Sequence, residues 1–219
     1  KVLFDKLAQK GIVELYPPQV KAIAAGITGD SIFVSVPTAA GKTLIAIMII
    51  MDHFLKHKSE SYNHKIIYLT PLKALAREKF QEFKDDWGDL GITVRKAVSD
   101  PDRDETSAFY ADLIIMTNEK ADSMLRGAPH LMKSVSLVVC DEIHLMNDQT
   151  RGATLEILLS RFKKEQRNVQ IVGLSATVSN YNQLAEWLNA KPIIDDFRPV
   201  PYKKQYYIPN TLHELIKEK

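Results

Sequence analysis

Between Ser31 and His57 the chain reads SIFVSV, then PTAAGKT, then LIAIMIIMDHFLKH. A short β-branched run leads into a loop ending Gly41-Lys42-Thr43, and that loop opens a long apolar segment. The segment 42–57 is rich enough in isoleucine to suit a strand, but it is too long for one. The spacing therefore predicts strand, loop and helix in that order, the context that makes Gly-Lys-Thr credible as a phosphate-binding loop. Such a loop turns backbone N–H groups and the positive end of a helix dipole toward phosphate oxygens. The loop residues are Val36, Pro37, Thr38, Ala39, Ala40, Gly41, Lys42 and Thr43. Gly41 permits close backbone approach, Lys42 would reach the β- and γ-phosphates, and Thr43 would offer its hydroxyl to Mg²⁺. Val36 stands where the general pattern has its first glycine. The competing reading is an ordinary strand-to-helix loop with an incidental Gly-Lys-Thr.

Working outward, the same alternation recurs. Short apolar runs stand at 31–36, 65–70, 92–98, 112–117, 136–141 and 169–175. Helical patterns lie at 42–57, 73–86, 118–126, 151–165 and 180–189, with further helical stretches near 3–10 and 17–27. Most of the short runs are continuously apolar, as strands covered on both faces are. Alternating strands and helices argue for an α/β fold with a parallel sheet and helices on both faces. The organisation expected is an N-terminal helical region at 1–30, a core at 31–190, and an exit segment at 191–219. That last segment holds four of the ten prolines and a short helical candidate, LHELIKEK.

Composition narrows the classes. The chain has 219 residues, 45% hydrophobic and 26% charged, with a formal net charge of +2. That excludes disordered, collagen-like and disulfide-rich chains. Any nucleic-acid contact must be local, because the whole surface carries no basic field. The single cysteine, Cys140, cannot form an internal disulfide and points to a reducing compartment; the location expected is intracellular, cytoplasmic in a prokaryote or nuclear in a eukaryote. Its place in an apolar run favours packing over nucleophilic chemistry. The longest apolar run, Leu44 to Met51, is far short of a membrane span, and the first residues lack a signal-peptide layout.

A second constellation follows the run SLVVC. Asp141 and Glu142 stand where that strand would end, on the edge from which the phosphate loop departs. An aspartate there can hold the Mg²⁺ that Thr43 also contacts, and a glutamate can accept a proton from an attacking water. The alternative is a solvated acidic pair. DPDRDE at 100–105 imitates a Ca²⁺ loop, but Glu105 and Ala111 occupy the positions that need glycine and glutamate.

VPTAAGKT, DEIH at 141–144 and SAT at 175–177 together resemble motifs I, II and III of the superfamily-2 helicases. LYPPQVKAI resembles the Q motif, LTPLKALAREK motif Ia and TNEKADSMLR motif Ib. DEIHLMNDQTRGATLEILLSR and FRPVPY look like the Ski2-like branch, nearest the archaeal Hel308 DNA helicases. The resemblance implies a RecA-like P-loop NTPase domain that uses ATP and Mg²⁺. It carries over Lys42, Asp141 and Glu142 as catalytic residues, Thr43 and Asp141 as Mg²⁺ residues, and Gln19 as the adenine reader. His144, Ser175, Ala176 and Thr177 become the residues that couple hydrolysis to movement. For Ser175 and Thr177, capping the helix near 180 is the alternative. A serine-hydrolase reading of Ser175 fails, since no G-x-S-x-G elbow surrounds it.

The resemblance further implies a nucleic-acid face at Pro71, Leu72, Lys73 and Ala74, then Thr117, Asn118 and Lys120, with Arg151 beyond. The helix starts there would bind backbone phosphates, with little sequence specificity. The function implied is 3′-to-5′ DNA unwinding coupled to ATP hydrolysis, in repair or recombination of stalled forks. Single-stranded or forked DNA is the partner, and RNA through a Ski2-like RNA helicase is the runner-up. A non-catalytic nucleotide-binding domain and an unrelated P-loop kinase are the rivals from other classes. Only Arg198 follows Arg167, so no second-domain arginine pattern is present. The chain is thus expected to be a first motor domain, hydrolysing ATP poorly without a second RecA-like domain and accessory domains.

Overall fold

A computed structural model describes residues 2–59, 64–98, 105–149, 151–165 and 168–199. The helical candidate near 212–219, the end of FRPVPY and most of the acidic loop at 100–105 lie outside the described residues.

All six expected strands form: β1 (Ile32–Ser35), β2 (Lys65–Thr70), β3 (Val94–Ala97), β4 (Leu113–Thr117), β5 (Val135–Cys140) and β6 (Gln170–Ser175). Between them run α3 (Lys42–His57), α4 (Lys73–Trp87), α5 (Asn118–Gly127), α6 (Gly152–Glu165) and α7 (Tyr181–Leu188), preceded by α1 (Val2–Gln9) and α2 (Pro17–Gly26). The strands join one parallel sheet of order β3-β4-β2-β5-β6-β1-β7.

The seventh strand, β7 (Lys191–Ile194), was not expected. It pairs parallel to β1 and closes that edge of the sheet. Its sequence, KPII, hides it in two ways. Pro192 demotes any strand reading, and the exposed edge removes the continuous apolar run that marks the others. The start of the exit segment is therefore sheet. Its attachment is tertiary: Lys191 N–H donates to Ser31 O (2.8 Å), and Lys191 Nζ pairs with Asp30 Oδ2 at 2.5 Å.

Alternation along each strand divides the core in two. Ile32, Val34, Ile66, Tyr68, Leu137 and Val139 face α1–α4. Phe33, Ile67, Leu69, Val138, Cys140 and Ile171 face α5–α7. Each fully buried aliphatic side chain contributes about 1.5–3 kcal/mol of transfer free energy, so both faces hold the sheet. Helix α3 is buried almost all round, from Ile45 to Phe54, because α1 and α2 cover the side that the sheet does not. By length and composition Thr38–His57 could cross a bilayer, but 56% of its 18-residue apolar stretch is buried inside the fold. Its apolar surface belongs to the core.

The far end of α3 is polar. Burial, with the positive neighbours His57, His64 and Lys56 adding to it, pushes the His53 imidazole down to about 4. Cys140 is fully buried, and that burial pushes its thiol up, away from nucleophilic use.

Candidate functional site

The phosphate loop leaves β1 at the carboxyl edge of the sheet. Val36 is fully buried and packs with the α3-side core, which explains an apolar residue where the general pattern has glycine. Pro37 is buried, Thr38 and Ala39 are exposed, and Ala40 is buried at the end of a short 3-10 turn. Gly41 takes φ +72°, a left-handed conformation that an L side chain resists. A Cβ there would also lie 2.3 Å from the Gln19 amide nitrogen.

Lys42 opens α3. Its side chain is 6% exposed, and Nζ meets no hydrogen-bond acceptor among the described residues. A buried ammonium without an acceptor is costly unless something anionic completes it. That orphaned charge, at a helix start beside a left-handed glycine, fits the phosphate chain of a nucleotide. A cavity of about 480 Å³ lies at the end of the loop, lined by Tyr16, Gln19, Gly41, Thr43 and Trp87 among others but not by Lys42, a size suited to a small ligand.

Gln19 is tied to the phosphate loop. Its Nε2 donates to the carbonyls of Ala40 and Gly41, both at 3.3 Å, and its Oε1 accepts from Tyr16 N–H at 2.9 Å. The amide clamps the phosphate loop onto the start of α2. Reading adenine would require it to exchange a loop carbonyl for the base. Phe197 packs its ring on Tyr16 at 5.1 Å, bringing the segment after β7 to the mouth of this cavity.

Asp141 and Glu142 follow β5, as expected. Asp141 Oδ2 accepts from the Tyr68 hydroxyl (3.2 Å) and Oδ1 from Glu142 N–H (3.0 Å). Burial, then the Glu142 charge, raises the Asp141 carboxyl above its ordinary range, against Tyr68 and Lys79, which pull it down. Glu142 holds φ +52°, and a non-glycine residue there carries backbone strain. Its Oε2 lies 3.2 Å from His144 Nδ1 without hydrogen-bond alignment.

Lys79 is the residue that sequence reasoning missed. It lies within the motif Ia stretch, where nothing singled it out. It is 7% exposed, and its Nζ donates to Thr43 Oγ1 (3.2 Å) and Glu82 Oε2 (2.8 Å). A cation thus already touches the hydroxyl assigned to Mg²⁺ and is felt by Asp141. The only available signal was a lysine two turns into an amphipathic helix, which ordinarily reads as solvated.

At β6, Ser175 is fully buried and Thr177 exposed, with Ala176 half-buried between them. Val36 N–H donates to Ser175 O (3.3 Å), and the Ser35 hydroxyl donates to Ala176 O (3.1 Å). The SAT segment is thus tied to the root of the phosphate loop. It does not cap the next helix, whose N-cap is Asn180.

The register Thr70↔Thr117 sets the ends of β2 and β4 side by side. Pro71 is buried under the start of α4, while Leu72, Lys73 and Ala74 are exposed on it. Thr117 caps α5, its hydroxyl accepting from Lys120 N–H at 3.3 Å. Asn118 is buried and Lys120 half-buried. Arg151 is exposed on the turn before α6, its N–H donating to Asp148 Oδ1 (2.9 Å). Both the loop–acid pair and the β2/β4 pair therefore stand on one carboxyl edge, as the sequence predicts, with Arg151 off the β2/β4 pair.

Comparison with known proteins agrees with this geometry. The DEAD/DEAH box helicase model matches residues 16–184, from the Gln19 turn through α7. The chain belongs to this helicase family. The ATP-dependent DNA helicase Hel308 of Methanocaldococcus jannaschii is 48% identical over 207 residues, covering 94% of this chain and 17% of that protein. Its namesake in Pyrococcus horikoshii is 48% identical over 202 residues, covering 91% of the chain and 27% of the relative. That of Thermoplasma acidophilum is 41% identical over 217 residues, 94% and 31% respectively. The chain thus spans between about a sixth and a third of the length of these helicase relatives.

Proposed function

We propose that this chain is the ATP-binding motor domain of a Hel308-type ATP-dependent DNA helicase. The observation that carries the reading is the orphaned Lys42 ammonium at the start of α3, on the same sheet edge as Asp141 and Glu142. Lys42 binds the β- and γ-phosphates, and the loop backbone from Val36 to Gly41 orients them. Thr43 and Asp141 hold Mg²⁺, which neutralises phosphate charge when bound. Glu142 accepts the proton of the attacking water at its carboxylate oxygen. The hydrogen bonds from residues 35 and 36 to residues 175 and 176 carry loop movement to the SAT segment, with His144 poised against Glu142.

A second RecA-like domain supplies the arginines that stabilise the transferring phosphoryl group, and accessory domains complete the parent protein. The nucleic acid is single-stranded or forked DNA, tracked 3′ to 5′ along the β2/β4 edge, at stalled forks inside the cell. Unwinding by the parent protein on matched DNA and RNA forks, with and without ATP, tests this reading. DNA-preferring, ATP-dependent unwinding is expected. Equal or RNA-only activity assigns the chain to the Ski2-like RNA helicases instead. Turnover that persists in a Glu142→Gln parent would remove Glu142 as the base.

A further inference from the structure

The end of α3 remote from the nucleotide loop gathers three histidines. His53 and His57 are four residues apart near the end of α3, on one helix face, and His64 directly precedes β2. The ring centroids lie 4.7 Å apart for His53–His57, 3.8 Å for His57–His64 and 6.1 Å for His53–His64. One nitrogen from each ring lies within 4.8 Å of the other two. His53 Nε2 is 2.8 Å from the Ser136 hydroxyl, so β5 braces that ring from behind. Metal-ligating imidazoles are oriented by an outer-shell hydrogen bond of this kind. All three residues are half-buried, and a cavity of about 180 Å³ opens beside His53 and His57. The nearby Asp52 carboxylate pairs with Lys56 at 2.7 Å.

We propose that His53, His57 and His64 form a binding site for a divalent late first-row transition metal, Zn²⁺ foremost, with a fourth position open to water. Imidazole nitrogen suits these ions, and three histidines with one open position is an established zinc arrangement. Zn–N distances of about 2.0–2.1 Å set tetrahedral ligand nitrogens about 3.3 Å apart. The rings reach that spacing by tilting, and the parallel stack of His57 on His64 opens as they do. The ion joins the last turns of α3 to the residue just before β2, about 20 Å along the helix axis from Lys42. It is a staple on the helix that carries the phosphate loop. It is distinct from the Mg²⁺ position and does not depend on the helicase reading.

The test uses tag-free chain stripped of metal by a chelator, titrated with Zn²⁺ against a chromophoric competitor and, separately, with Co²⁺. One equivalent of Zn²⁺ should bind, and Co²⁺ should give the visible ligand-field bands of a tetrahedral ion. The thermal midpoint should rise with Zn²⁺. His57→Gln and His64→Gln should each lose the stoichiometric site. Ser136→Ala should weaken it about tenfold, and His130→Gln should leave it unchanged. Circular dichroism checks that each variant folds; if one histidine variant does not, the other and Ser136→Ala carry the test. No stoichiometric binding, or binding that survives both histidine substitutions as a weak adventitious ion would, overturns the proposal.

Discussion

The two halves of the carboxyl edge differ in how their polar groups are satisfied. Around β1, β5 and β6 the structure leaves groups incomplete: an ammonium without an acceptor at Lys42, a raised carboxyl at Asp141, a left-handed backbone at Glu142. Around β2 and β4 several groups close on themselves, while Asn118 Oδ1 and Asp122 Oδ1 stay buried without a hydrogen-bond partner among the described residues. Thr70 donates to Leu72 O at 3.2 Å, and Thr117 caps Lys120 N–H. The first half stores unfavourable free energy that a charged ligand relieves. The second half offers helix starts and the exposed Lys73 side chain. The strained backbone and the orphaned charge thus lie in the half proposed to bind nucleotide, and a capped helix start lies in the half proposed to meet the nucleic-acid backbone.

Five substitutions and one titration press on that contrast. The largest effect belongs to Lys42→Ala. Losing a charge-assisted contact of about 2 kcal/mol weakens Mg²⁺–ATP binding about 30-fold by calorimetry, while the thermal midpoint holds or rises. Unchanged affinity would abolish the distinction between the halves. Glu142→Gly comes next. Relief of the left-handed strain stabilises the fold by about 1 kcal/mol, and hydrolysis by the parent protein is lost. A fall in stability on chemical denaturation would show that Glu142 carries no stored strain. On the other half, Thr117→Ala removes an N-cap and costs about 1 kcal/mol of stability, with nucleotide affinity unchanged.

Asp141 sharpens the comparison through pH. Its folded-state carboxyl titrates above the ordinary 3.8, so the fold binds that proton more tightly than the unfolded chain does. Stability from this group is greatest below 3.8 and falls as pH rises through the raised value. Mg²⁺ competes with the same proton, so Mg²⁺ affinity should decline on acidification before ordinary carboxylates titrate. Asp141→Asn should remove both dependences, read by melting and by Mg²⁺ titration at stepped pH. The smallest effect is expected of Lys73→Ala. Single-strand affinity falls modestly and the slope of log affinity against log salt drops by about one, equally for all sequences. A sequence-dependent loss would mean that this half reads bases.

The phosphate loop, the acidic pair and six strands were legible because each is a local pattern. Residues 31–57 carry strand, loop and helix in one continuous stretch, and Asp141 and Glu142 end an unmistakable apolar run. Four features escaped. β7 is an edge strand with a proline, so its only signature is the partner strand. Lys79 resembles any helical lysine until α4 lies against α3 and brings it to Thr43. Gln19 reads as an adenine contact in the sequence, and the structure adds partners that sequence does not show: loop carbonyls twenty-odd residues away. The three histidines are an i, i+4 pair and an outlier until β2 runs back beside α3.

Sequence alone determined the α/β class and the order of its elements up to β7, and it singled out the residues proposed to meet phosphate and Mg²⁺. Those follow from periodicity and from spacing within single turns, where chain connectivity fixes what is adjacent. Only the tertiary structure decided what surrounds each of them: a lysine on the Thr43 hydroxyl, an amide clamped to the loop, an aromatic ring from beyond the sheet's last strand, and a histidine trio at the opposite end of α3. Those contacts join residues far apart in the chain, and packing between layers sets their distances.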